Sequence, residues 1–151
     1  MIYKTKYFGE IECDESKLFH FASGLPGFEN ETSFLLIPFE GSNGSMFSLQ
    51  STVTPALSFI VMDPFTLDPT YEPELSDSEL RQLGAEKWED LSYGVLCVSK
   101  TPASMSTVNL RCPIAIHLDT RECRQIVMDS TRYHMRHLLS EFGRQEEGSS
   151  C

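Results

Sequence analysis

Apolar residues along this chain fall in short runs bounded by Gly, Pro, Asn and Asp, and most of the runs are rich in β-branched and aromatic side chains. That pattern marks short strands rather than long amphipathic helices. Strands are predicted at Lys4 to Glu12, with Tyr7 and Ile11 near a kink at Gly9, at Lys17 to Phe21, at Phe34 to Pro38 and at Met46 to Gln50. The last two flank Gly41-Ser42-Asn43-Gly44, a string of turn formers, and should pair as an antiparallel hairpin. Ala56 to Met62, Gly94 to Val98 and Pro113 to Leu118 are near-continuous apolar runs, which is how strands covered on both faces read, so they are the predicted core. Thr107 to Leu110 and Gln125 to Met128 complete the set. No strand alternates with a long helix, so the sheet is expected to be antiparallel.

Two helices interrupt this pattern. Ser76 to Leu83 opens on an S-x-x-E capping box, Ser76 with Glu79, and stops at Gly84. The second is predicted from about Thr131 to Phe142, with Met135, Leu138, Leu139 and Phe142 on one stripe, free to dock on the strands. The expected fold class is therefore mainly β: a small antiparallel β-barrel-like single domain over residues 1–142, with one short helix mid-chain and one C-terminal helix. Residues 143–151 carry no apolar side chain before Cys151 and are expected to form a disordered tail.

Charge sharpens the picture. The formal net charge of -10 opposes direct contact with phosphate backbones and favours basic partners. Between Asp63 and Asp90 stand Asp68, Glu72, Glu74, Asp77, Glu79, Glu86 and Glu89, opposed only by Arg81 and Lys87, whereas the stretch from Arg111 to Arg144 is arginine-rich. The five cysteines are odd in number and form no C-x-x-C pair, which argues for free thiols rather than a disulfide framework or zinc site. No apolar run of signal-peptide length opens the chain, and none approaches the roughly 18 residues of a membrane helix, so a cytoplasmic location without membrane contact is expected.

Catalytic signatures are absent: there is no G-x-S-x-G elbow and no G-x-x-x-x-G-K-[ST] phosphate loop. His134 and His137 have the i, i+3 spacing of a metal pair, but no third ligand accompanies them, and no metal or cofactor is expected. The most distinctive string is Gly24-Leu25-Pro26-Gly27-Phe28-Glu29, a glycine- and proline-shaped loop carrying two apolar side chains. Leu25 and Phe28 could meet a partner, or tuck under the loop and plug one end of a barrel; the residues alone favour the plug. Asp63-Pro64-Phe65, continuing through Pro69 and Tyr71 to Pro73, is a proline-stiffened acidic connection that could bind at low entropic cost or merely cross the barrel mouth. A ligand-binding barrel with an interior pocket, or a hydrolase using Asp63 with a histidine, has no positive support in these residues.

Taken together with Phe8-Gly9-Glu10-Ile11, Leu49-Gln50-Ser51, Phe59-Ile60-Val61-Met62-Asp63-Pro64, Val108-Asn109-Leu110-Arg111-Cys112-Pro113 and Gln125-Ile126-Val127, the G-L-P-G-F-E string resembles the FliW family of bacterial flagellar assembly factors. The resemblance covers roughly residues 3 to 139 and departs at Cys112, at Glu122-Cys123 and after Phe142. It implies a small β-barrel-like protein, monomeric when free and not an enzyme, that binds flagellin and the translational repressor CsrA. Flagellin synthesis would thereby be coupled to secretion, because CsrA binds flagellin messenger RNA. On this footing the candidate partner-binding residues are Leu25, Pro26, Phe28, Glu29, Asp63, Pro64, Tyr71, Glu72, Glu74, Asp77 and Asn109.

Overall fold

The structure, a computed structural model, describes residues 1–142; the expected tail lies outside them. Eleven strands run in the order β1 (Ile2–Lys4), β2 (Glu10–Glu12), β3 (Phe19–Phe21), β4 (Ser33–Pro38), β5 (Met46–Ser51), β6 (Ser58–Met62), β7 (Ser92–Val98), β8 (Thr107–Val108), β9 (Ile114–Ile116), β10 (Glu122–Gln125) and β11 (His137–Leu138). Two short helices, α1 (Pro64–Leu67) and α2 (Asp77–Gln82), lie between β6 and β7. Seven strands close a barrel in the order β7-β6-β5-β4-β3-β10-β9, with β9 returning to β7.

Closure depends on β7. One edge pairs with β6 through Val95, Leu96 and Cys97. The opposite edge is divided: Ser92, Tyr93 and Gly94 pair with β9, and Cys97 and Val98 pair with β8. Side chains alternate across this wall, as the pleat requires. Ile114 and Ile116 of β9 join Phe21, Phe34, Leu49 and Val61 in the barrel interior. Ala115, with Tyr93 and Val95 of β7, instead faces a second core outside the barrel, made with Leu67, Tyr71, Leu83, Leu91 and Ile126. Residues 64–91 cover this outer core, where Phe65 stacks on Trp88 at 6.3 Å and meets Tyr71 and Tyr93 edge-on. Thus β7 and β9 are covered on both faces, and that is why their sequences run continuously apolar.

Four expectations need correction. The predicted first strand is a hairpin, β1 against β2, because Thr5 ties the turn by accepting from the Phe8 N–H and donating to the Gly9 carbonyl. Gly9 occupies the left-handed region at φ 66°. The Asp63 segment contains a helix, α1, with Asp63 accepting from the Phe65 N–H as its cap and Pro64 in the first turn. The sheet is antiparallel except where β10 lies parallel to β3, an arrangement allowed by the long excursion between them. The C-terminal helix does not begin near Thr131: residues 131–136 are irregular, β11 pairs with β8, and helix is found only at 140–142. Tertiary bonds outweigh the helical stripe there, since the Arg111 N–H donates to the His134 carbonyl and the Leu139 N–H to the Ser106 carbonyl. The predicted capping box at α2 is present in both directions, with Gly84 left-handed at φ 72° beyond it.

Where β7 crosses Val61, a Cβ placed on Gly94 would stand 2.2 Å from the Val61 Cγ1. Gly94→Ala should overpack the wall and destabilise the protein by about 1–3 kcal/mol, read as a lower denaturant midpoint. Val61→Ala in the same chain removes the clashing methyl groups and should make the two substitutions less than additive; additive losses would show that the close approach is not the cause.

Candidate functional site

The G-L-P-G-F-E loop departs from β3 by a tight turn in which the Gly24 N–H donates to the Phe21 carbonyl at 3.0 Å. Gly24 is left-handed at φ 65°, and an added Cβ would lie 2.7 Å from backbone atoms of Phe28 and Glu29. Only glycine fits. The Phe28 N–H donates back to the Leu25 carbonyl at 2.7 Å, and the two residues form an isolated antiparallel bridge. Glu29 fastens the tip by accepting from the Gly27 N–H at 2.7 Å. Farther along, the Glu31 carboxylate accepts from the Ser51 and Thr54 hydroxyls, tying the loop to the end of β5.

The two apolar side chains of the loop part company. Leu25 is 2% exposed and plugs the interior core, as the structural reading of the sequence expected. Phe28 is 41% exposed, with only its edge against Phe59 at 5.3 Å, so it does not tuck under. Pro26 and Glu29 are exposed beside it. The loop therefore presents a rigid apolar and acidic tip on a buried anchor.

The remaining candidates lie on the outer layer and divide in the same way. Pro64 and Tyr71 are buried. The Tyr71 hydroxyl donates to the Leu110 carbonyl at 2.5 Å, and burial pushes its ionisation far above the usual phenol range. Both residues position their surroundings. Asn109 is half-buried and accepts from the Cys112 N–H at 3.0 Å, holding the turn before β9. Asp63 spends one oxygen on the cap of α1, and Asp68 faces Arg132 at 3.6 Å. Glu72, Glu74 and Asp77 are exposed, and among the described residues their carboxylates have no hydrogen-bond or ion-pair partner. Their chain is nevertheless fixed, because the Glu72 N–H donates to the Tyr133 hydroxyl at 3.2 Å and the Glu74 N–H meets the Met128 sulfur at 3.1 Å. The result is a pre-ordered acidic ridge.

Side chains also settle some of the chemistry. Between Phe19, Leu49, Val61 and Ile116 the barrel interior holds a void of about 10 Å³, room for no more than a water, and a cleft of about 260 Å³ is lined by Leu36, Phe47, Val61, Tyr93 and Ile116. His137 bonds Glu141 through Nδ1 at 3.0 Å and accepts the His134 N–H at Nε2, so both ring nitrogens serve local structure. Burial pushes the Cys123 thiol up to about 12 and raises Cys97 as well, which leaves neither a ready nucleophile. Sequence reasoning missed Arg124 and Val127, which line a cleft of about 260 Å³ against Gly24, Pro26 and Glu29. The signal for Val127 lies in the Gln125-Ile126-Val127 string, whose place beside the loop only the fold gives, and Arg124 carries no local signal.

Against known proteins, residues 2–139 match the family model described as FliW protein. The chain is 39% identical over 133 residues to the flagellar assembly factor FliW of Shouchella clausii (strain KSM-K16), covering 88% of this chain and 90% of that one. It is 33% identical over 151 residues to that of Bacillus velezensis (strain DSM 23117 / BGSC 10A6 / LMG 26770 / FZB42), over the full length of both. A crystal structure of the flagellar assembly factor FliW superposes with a TM-score of 0.85 at 36% identity, covering 92% of this chain and 96% of that one. The chain belongs to the FliW family, a family of flagellar assembly factors and not of enzymes.

Gly24→Ala should reshape the loop and destabilise the fold by roughly 1–3 kcal/mol, because it combines left-handed strain with a backbone clash. Gly27 is also left-handed, at φ 83°, but an added Cβ there meets nothing within 4 Å. Gly27→Ala should therefore cost clearly less, and equal losses in thermal melts of the two variants would contradict this account.

Proposed function

We propose that this FliW family member acts in the cytoplasm as a partner switch that binds flagellin and the translational repressor CsrA through protein surfaces. In this reading the free protein is monomeric. When flagellin is exported, the freed protein captures CsrA and relieves repression of flagellin synthesis; when flagellin accumulates, it occupies the protein and repression returns. Binding alone couples synthesis to secretion, and no covalent chemistry is required.

The observation that carries the CsrA half is the ridge of Glu72, Glu74 and Asp77, exposed and unpaired among the described residues, on a chain of net charge -10. A repressor that grips RNA must present a basic surface. Free carboxylates on an ordered backbone are attracted to such a surface and repel phosphates that come within about one Debye length, ~8 Å at physiological salt. Because the ridge is already held by Tyr133 and Met128, little ordering is lost on binding. The loop tip around Phe28 supplies a second candidate surface, apolar and equally pre-ordered.

Calorimetric titration against CsrA and flagellin separately, then of CsrA into the preformed flagellin complex, tests the switch. Binding to each partner alone and loss of CsrA binding once flagellin is bound are expected; a folded protein that binds neither would sink the reading. Converting Glu72, Glu74 and Asp77 together to Lys should weaken antagonism in an RNA competition assay by roughly tenfold, with a smaller loss at high salt. Unchanged inhibition by the folded triple variant would remove the ridge from the mechanism.

A further inference from the structure

The cleft beside the G-L-P-G-F-E loop contains an open strand edge. Along β10 and the residues after it, bonds to the β9 side come from alternate positions: the His117 N–H donates to the Glu122 carbonyl, the Ile126 N–H to the Pro113 carbonyl at 2.8 Å, and the Met128 N–H to the Arg111 carbonyl at 3.0 Å. In an antiparallel ladder the intervening residues turn their backbone groups the other way. Gln125 and Val127 therefore direct N–H and C=O away from β9, toward the side where β3 would lie. But β3 pairs only as far as Phe21 with Cys123, and the Phe21-to-Gly24 turn then carries the chain off. Among the described residues nothing bonds the backbone N–H or carbonyl of Val127, whose side chain is 65% exposed.

The β1–β2 hairpin also has free outer edges, but they carry the charged residues Lys4, Glu10 and Glu12. The Leu138 N–H of β11 donates to the Glu141 carboxylate, and barrel closure consumes both edges of β7. The edge at 125–127 has no proline or covering segment of the kind that usually blunts an edge. It is also walled: Gly24, Pro26 and Glu29 stand across the cleft from Arg124, Gln125 and Val127.

We propose that this cleft binds an extended polypeptide segment of a partner protein, which adds as a strand alongside Gln125 and Val127 where β3 leaves off. The occupant must be free of proline at the bonding positions, must carry β-branched or aromatic side chains against Pro26 and Val127, and gains from an acidic side chain near Arg124. Main-chain bonds supply affinity and the walls supply selectivity. The inference rests on the reading of the chain as a protein-binding module, but its test uses neither flagellin nor CsrA, so the two can fail separately.

The probe is a capped seven-residue peptide of alternating valine and threonine with one central glutamate, titrated to millimolar concentration while the amide signals of Gln125 and Val127 are followed by NMR. Saturable shifts at those two amides are expected, with no binding by a version N-methylated on the edge that faces the protein. Val127→Pro removes one of the two donors without touching the ladder to β9, and should weaken the peptide about fivefold at an unchanged melting temperature. Absence of saturable shifts overturns the proposal, and so does equal binding of the N-methylated peptide. The latter comparison uses the unaltered protein and decides the matter even if the proline variant does not fold.

Discussion

The double burial of one wall is the constraint on which the rest of the molecule depends. β7 and β9 separate two cores, one inside the barrel and one beneath residues 64–91, and each must present apolar groups to both. Gly94 lets β7 and the neighbouring strand come close enough for Val61 to fill the space that a side chain would otherwise occupy. Because β7 gives its far edge partly to β9 and partly to β8, one strand both closes the barrel and anchors β8, with which β11 pairs. The outer layer is thus not an appendage: its aromatic residues, Phe65, Tyr71, Trp88 and Tyr93, pack on the same strands that close the barrel. The acidic ridge inherits its rigidity from that packing.

Much of this is legible in the sequence. Continuous apolar runs at β7 and β9 announced strands covered twice, whereas the similar run at β6 has only Val61 buried, and the S-x-x-E string with Gly84 marked the start and stop of α2. What escaped notice was decided by single hydrogen bonds or by distant partners. Thr5 makes a turn out of a segment that otherwise reads as one strand, through two bonds of a single hydroxyl. At the C-terminal end the predicted stripe of Met135, Leu138, Leu139 and Phe142 is real in the sequence, but Met135 is 52% exposed while Tyr133 and His137 are buried. Propensity is a weak guide where a strand partner such as β8 lies within reach. No local pattern could have announced that β10 runs parallel to β3, since that pairing depends on where the barrel closes.

The candidate site was legible in kind but not in assembly. The G-L-P-G-F-E string pointed to a shaped loop with two apolar residues, yet only the fold separates Leu25, which anchors, from Phe28, which is displayed. In the same way Tyr71 and Asn109 turn out to hold backbone in place while Glu72, Glu74 and Asp77 remain available. A closed barrel would leave its wall no free edges. Gly24 breaks that completeness locally: by turning the chain away after Phe21, it leaves β10 unpartnered just as it lifts Pro26 and Phe28 into the open. A single left-handed residue therefore builds the loop and opens the edge beside it. Neither Gly24 nor Gln125-Ile126-Val127 reveals this alone, because the relation between them exists only once β3 and β10 have paired.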